Sequence, residues 1–218
     1  MRAIFTQELS QVGDDLVSMS RQVATAITDA TTALLEGDLE LAERVIDADA
    51  AVDELERELD ERCVMLLARQ QPVASDLRLV VSALRMSSSI ERMGDLARHV
   101  AQVARLRYPN VAIPETAVPV FHRLGEAAKR VAGDVVELLE SHDLSLALRV
   151  ERDDDVLDQL HLDTFRLTLA QNWPGTTAET VDVTLTARFY ERFGDHAVNV
   201  ARRIQYLVTG DFNSGVDD

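Results

Sequence analysis

Residues 91–101 read Glu-Arg-Met-Gly-Asp-Leu-Ala-Arg-His-Val-Ala, and residues 191–201 read Glu-Arg-Phe-Gly-Asp-His-Ala-Val-Asn-Val-Ala. Seven of the eleven positions are identical, where two windows of ordinary composition paired at random share about one. A second echo lies upstream of each: Asp49-Ala-Ala-Val-Asp53 in the first half and Asp154-Asp-Val-Leu-Asp158 in the second. Two motifs recurring in the same order indicate a duplicated unit of about one hundred residues.

The surrounding pattern is helical. Apolar residues recur three and four apart, with nine Gly and five Pro in 218 residues, and this is the period of amphipathic helices. Leu9, Val12, Leu16, Met19, Val23, Ala26, Ala30 and Leu34 make a first seam that stops at Gly37-Asp38. Leu41, Val45, Val52, Leu55, Leu59, Cys63 and Leu66 carry a second helix to about Gln70, where Pro72 breaks it and Ser75 offers a cap for a third, running from about Asp76 to Arg107. After the proline-bearing stretch 108–119 the scheme repeats, with helices over about 115–141, 143–172 and 177–208. The expected fold is all-α: two tandem three-helix bundles, one over 1–108 and one over 115–210, related by a near two-fold pseudo-symmetry, with a polar tail at 211–218.

Composition limits the function classes. There are 38 acidic against 22 basic residues, a formal charge of −16. That charge repels nucleic acid and anionic membrane surfaces in the absence of a basic run. Cys63 is the only cysteine and reads as a core thiol. No apolar stretch reaches the roughly 18 residues of a membrane span. These features suit a soluble, cytoplasmic protein. Leu77, Val81 and Leu84 put apolar side chains on a second face of the third helix, which predicts a homodimer.

The acids carry the chemistry. Residues four apart on a helix share a face, so Asp49/Asp53, Glu91/Asp95, Asp154/Asp158 and Glu191/Asp195 each set two carboxylates side by side. Chance alone gives a chain this acidic roughly six such pairs, and most acid pairs are solvated surface. Two features distinguish these four. Like charges at this spacing destabilise a helix, and no Lys or Arg lies four residues from Glu91 to offset the repulsion. Gly94 and Gly194 also stand inside helices, where Gly costs about 1 kcal/mol relative to Ala, so a close approach at each glycine is expected.

Two pairs from adjacent helices supply four carboxylates, a hard-oxygen set suited to Mg, Mn or Fe cations. On the helical wheel Glu91 and Asp95 fall away from the stripe of Leu79, Ala83, Met86, Ile90, Met93, Ala97, Val100 and Ala104, which predicts open, shallow surface sites. This opposes the alternative of a ferritin-like carboxylate-bridged di-iron oxidase, which uses core ligands and a Glu-x-x-His motif that this chain lacks. His99 and His196 stand near the acids but do not match across the repeat. With no Ser/His/Asp order, phosphate loop, CxxC or HExxH, the sequence offers no catalytic nucleophile and reads as a non-enzyme.

Further stretches carry a family likeness. Met-Arg-x-x-Phe-x-x-Glu-Leu at the start, Gly37-Asp-x-x-x-Ala-x-x-Val-Ile46, Asp49-x-x-Val-Asp-x-Leu-Glu-x-Glu-Leu59, Gln70-Gln-Pro-Val-Ala-x-Asp-Leu-Arg78 and the two Glu-Arg-x-Gly-Asp signatures together resemble the PhoU family over almost the whole chain. The resemblance implies tandem three-helix bundles whose acidic motifs hold surface metal clusters, here Asp49, Asp53, Glu91 and Asp95 at one site and Asp154, Asp158, Glu191 and Asp195 at the other. It implies negative regulation of phosphate uptake and of the phosphate-starvation response, acting with the ATPase of a Pst phosphate transporter and a PhoR-type sensor kinase. The chain departs from many relatives in having Ser88-Ser89-Ile90 before the first Glu-Arg, where they carry an acid.

Overall fold

The computed structural model describes residues 2–211; the polar tail beyond lies outside the described residues. They form six α-helices: α1 Arg2–Glu36, α2 Leu39–Gln70, α3 Ala74–Arg107, α4 Val118–Ser141, α5 Leu144–Thr168 and α6 Thr177–Thr209. The expected all-α class and its two sets of three helices are both present.

Local chemistry sets the boundaries. Gly37, at φ +67, closes α1, and Asp38 caps α2 by accepting from Leu41 N at 3.0 Å. Asp143 does the same for α5 through Ser145 N at 2.9 Å. Thr176 and Glu179 form a capping box at the start of α6.

Three ends differ from the sequence reading. Gln71 leaves α2 in a left-handed conformation and the chain turns within three residues, so α3 starts at Ala74 and Ser75 lies inside the helix instead of capping it. Residues 115–117 are a turn, Ala117 N bonding Pro114 O at 2.8 Å, and α4 starts at Val118 with Pro119 in its first turn, where the missing N–H costs nothing. α5 stops at Thr168; beyond it Ala170 N bonds Leu167 O and Trp173 N bonds Ala170 O, a tightened run of turns.

Within each set every helix touches the other two: α1, α2 and α3, then α4, α5 and α6. The sets meet along α1–α4 and α3–α6, each a pairing of repeat-equivalent helices, as a pseudo-two-fold requires. Both pairings are antiparallel. Arg78 lies beside Gly210, His99 against Phe189 and Arg107 on Asp182; Thr31 lies against Gly125 and Arg21 on Glu140. The buried residues of both sets form one continuous core.

Polar contacts tie the sets together. Tyr190, fully buried on α6, bonds Thr31 of α1 at 2.8 Å, and Arg107 holds Asp182 in a two-pronged pair at 2.6 and 3.0 Å. Cys63 is a buried core thiol, pushed up to about 12 by burial.

Candidate functional site

Each set carries one acid cluster, between its second and third helices. In the first, Asp49 and Asp53 of α2 face Glu91 and Asp95 of α3 closely enough that Asp53 and Asp95 raise the cost of ionising Asp49, and Asp95 and Asp53 that of Glu91. In the second, Asp154 and Asp158 of α5 stand in the same relation to Glu191 and Asp195 of α6. All eight residues singled out by spacing are therefore gathered into two fours.

The glycines set how closely the helices approach. A Cβ on Gly94 would meet Asp49 Oδ1, Val23 and Val52 at 3.5 Å, ordinary contact. A Cβ on Gly194 would overlap Asp154 Oδ1 and lie 2.9 Å from Leu157 Cδ1. The α6 backbone thus presses on the carboxylate of α5, as expected for an interior glycine next to the acids.

The clusters are more sheltered than the helical wheel suggested. Side-chain exposure is 9% for Asp49, 15% for Asp95, 19% for Glu91 and 12% for Glu191. The wheel assumes one buried stripe, whereas α3 packs on α1, α2 and α6 together, so the side away from its stripe faces a neighbouring helix. Asp53, Asp158 and Asp195 remain exposed at the groove mouths.

Burial and crowding perturb the carboxyls. Burial first, then Asp158, Asp195, Asp155 and Glu191, push Asp154 up to about 7. Burial first, then Asp95, push Glu91 up to about 7. Asp158 and Glu191 are also raised, by burial and then Asp195. Asp95 goes the other way: burial pushes its carboxyl up, but the hydrogen bond and charge of Arg98, with Arg92, outweigh it and hold the group below its usual range.

The two clusters differ in their cations. In the first, Arg98 contacts both Asp49 and Asp95, while Arg92 lies 3.4 Å from Glu91 and 2.7 Å from Asp95. The Arg98 Nε contact with Asp49 is an ion pair without hydrogen-bond alignment. In the second, Arg188 pairs with Glu191 Oε1, and both Glu191 Oε2 and Asp154 Oδ1 are buried without a hydrogen-bond partner. Buried oxygens are rarely left so. Among the described residues no three acids or histidines converge as a ready-made ligand set. The second cluster, with two orphaned carboxylate oxygens and hard donors, suits a divalent cation; in the first, a guanidinium already holds the position between the helices.

A four-residue spacing does not reveal these arginines, because Arg92 adjoins Glu91 and both Arg92 and Arg98 stand three residues from Asp95. Asp155 and His161, which also act on the second cluster, were legible as the acid run 153–155 and as a histidine three residues past Asp158. The ring of His99 lies 5.2 Å from that of Phe189, and His196 feels Arg92 across the same α3–α6 seam. Burial first, then a neighbouring arginine, lowers both, Arg98 for His99 and Arg192 for His196.

Comparison with known proteins matches the PhoU domain to residues 16–104 and 121–204, one match per set of three helices. The chain is 42% identical over 212 residues to the phosphate-specific transport system accessory protein PhoU homolog 2 of Mycobacterium tuberculosis, covering 97% of this chain and all of that one. It is 34% identical over 208 residues to the PhoU homolog of Pseudomonas aeruginosa, covering 94% and 86%. The crystal structure of PhoU from Pseudomonas aeruginosa superposes with a TM-score of 0.84 at 30% identity, over 95% of this chain and all of that one. That of the phosphate transport system regulatory protein PhoU from Streptococcus pneumoniae superposes with the same score at 26% identity, over 98% and 100%.

Proposed function

This chain belongs to the PhoU family, and from that premise we propose that it is a non-enzymatic adaptor that represses phosphate uptake and the phosphate-starvation response when phosphate is plentiful. It is an accessory protein of phosphate transport. The proposed partners are the ATPase subunit of the Pst transporter and a PhoR-type sensor kinase, met at the cytoplasmic side of the membrane. No helix among the described residues is long and apolar enough to cross a membrane.

The observation that carries the cation part of the reading is the second cluster, where Asp154 Oδ1 and Glu191 Oε2 are buried and unpartnered. Asp154, Asp158, Glu191 and Asp195 would hold a Mg, Mn or Fe cation. Such a cation supplies the positive charge that lets these carboxylates ionise side by side. Asp154 and Glu191 would offer their buried oxygens to it, and Asp158 and Asp195 their exposed carboxylates. A bound cation would offset the like charge that α5 and α6 bring together.

The di-iron oxidase alternative gains no support from the geometry: the carboxylates lie in interhelical grooves outside the apolar core, and the Glu-x-x-His motif is absent.

A strain lacking this gene tests the proposal with a phosphate-starvation reporter under phosphate excess. We expect derepression, restored to normal by the wild-type gene and not by the Asp154→Asn, Asp195→Asn double variant. Normal repression without the gene would overturn the regulatory reading. Full rescue by a folded double variant would remove the acids from it.

A further inference from the structure

The repeat copies the acids and the arginine beside each Glu, Arg92 and Arg192, but not every cation. Position 98 is Arg and its equivalent 198 is Val. Arg98 projects from α3 one turn beyond Asp95 and contacts the α3 carboxylate of Asp95 and the α2 carboxylate of Asp49 at once. It thereby sets its positive charge between the two carboxylate-bearing helices. The guanidinium is itself largely sheltered, and its charge is fixed at any physiological pH. Arg92 adds a second positive charge over Glu91 and Asp95. In the second set Val198 is buried in the core and contributes no charge. Arg188 reaches one oxygen of Glu191, and the other oxygen and Asp154 Oδ1 stay orphaned. The same four acids are thus bridged across the two helices by a guanidinium in one half and not in the other.

We propose that Arg98 is a built-in counter-ion that closes the first cluster to divalent cations, so that the chain carries one class of cation site, in the second cluster, and that removing the Arg98 charge opens another. The inference rests on the cation reading given above. A divalent ion entering the first cluster would have to expel a guanidinium tied to both helices or sit beside its positive charge, and either weakens binding. Once Arg98 is neutral, no guanidinium bridges Asp49 of α2 to Asp95 of α3, and Asp49, Asp53, Glu91 and Asp95 keep only Arg92, as their counterparts keep Arg188 and Arg192. The halves would then differ in role: a permanently locked α2–α3 groove and an α5–α6 groove whose charge depends on the available cation.

The test is Mn²⁺ binding to the full chain by equilibrium dialysis and calorimetry, with melting followed in parallel. Proteins compared are wild type, Arg98→Val, Arg98→Gln, Asp154→Asn and Arg98→Gln combined with Asp49→Asn. Arg98→Gln keeps the length and polarity of the side chain and guards against a folding defect in Arg98→Val. We expect one class of sites in wild type, lost in Asp154→Asn; a second class in both Arg98 variants, lost again when Asp49 is also neutralised; and a larger Mn²⁺-induced rise in melting temperature for the Arg98 variants than for wild type. Two classes in wild type, one of them surviving in Asp154→Asn, would overturn the inference while leaving the cation reading intact. So would an unchanged site count in a folded Arg98→Gln. Absence of binding in every protein would overturn the cation reading and this inference together.

Discussion

Gly194 lets the α6 backbone rest on Asp154, and the two repeat glycines should respond to alanine in opposite ways. At Gly94 a methyl group meets only ordinary contacts at 3.5 Å, so Gly94→Ala should raise stability, by up to about 1 kcal/mol from helix propensity. Gly194→Ala must push aside Asp154 and Leu157; it should lower the melting temperature and weaken cation binding at the second cluster, both measurable in one thermal-shift titration. Equal responses would show that the close approach does not exist. Asp154 also sets a pH dependence. Its carboxyl is raised from 3.8 to about 7, chiefly by burial, and that of Glu91 from 4.5 to about 7. The folded chain therefore binds these protons more tightly than the unfolded one, and the stability they contribute is full below about pH 4 and lost as pH rises through about 7. In chelator, Asp154→Asn should flatten that decline between pH 5 and 8 relative to wild type, and added Mn²⁺ should offset it. A variant with an unchanged profile would contradict the raised carboxyl.

At the scale of the helix, the sequence disclosed what one helix can encode alone and missed what depends on neighbours. The apolar seam from Val12 to Leu34, save that Ile27 takes the core place read for Ala26, and the stripe from Ala83 to Ala104 are buried as read, because a period of 3.6 is a property of the chain itself. The four-residue acid spacing is legible for the same reason. The depth of Asp49 and Glu91 is not, since it depends on α3 touching three helices, a fact of packing that no single wheel contains. Nor was the bridging of Asp49 by Arg98, which joins residues 49 apart in sequence. The bond from Tyr190 to Thr31 was equally hidden. Thr31 already donates to Ile27 O at 2.7 Å, so the Tyr190 hydroxyl donates to Thr31 and locks α6 to α1 across the two sets. Tyr190→Phe keeps the ring packed against Phe121 and removes this one bond. It should cost about 1 kcal/mol, a fall of about 2–4 °C in melting temperature for a chain of this size. A loss well beyond that would mean the hydroxyl organises more than this contact.

At the scale of the whole molecule, exposed apolar surface and net charge act in opposite directions on self-association. Leu77 and Val81 on α3 are 40% and 39% exposed, and Val181, the repeat equivalent of Val81, is 48% exposed. Leu84, which the sequence placed on the same face, packs instead against the core. Burying such surface against a second copy is favourable by roughly 25 cal/mol per Å² of apolar area. Each chain also brings a charge of −16, and that repulsion is screened only over distances longer than a Debye length, about 30 Å at 0.01 M salt and 10 Å at 0.1 M. A homodimer formed through the start of α3 should therefore be favoured by salt. Light scattering should return about 48 kDa, twice the 24.2 kDa of one chain, at moderate ionic strength, moving toward the single-chain mass as salt is withdrawn. Leu77→Asp with Val81→Asp should hold the protein at the single-chain mass at every salt concentration without lowering its helix content, because neither side chain belongs to the buried core. A wild-type mass near 24.2 kDa across a wide range of protein and salt concentration would rule out the dimer, and a dimer that survives both substitutions would place its interface on another face.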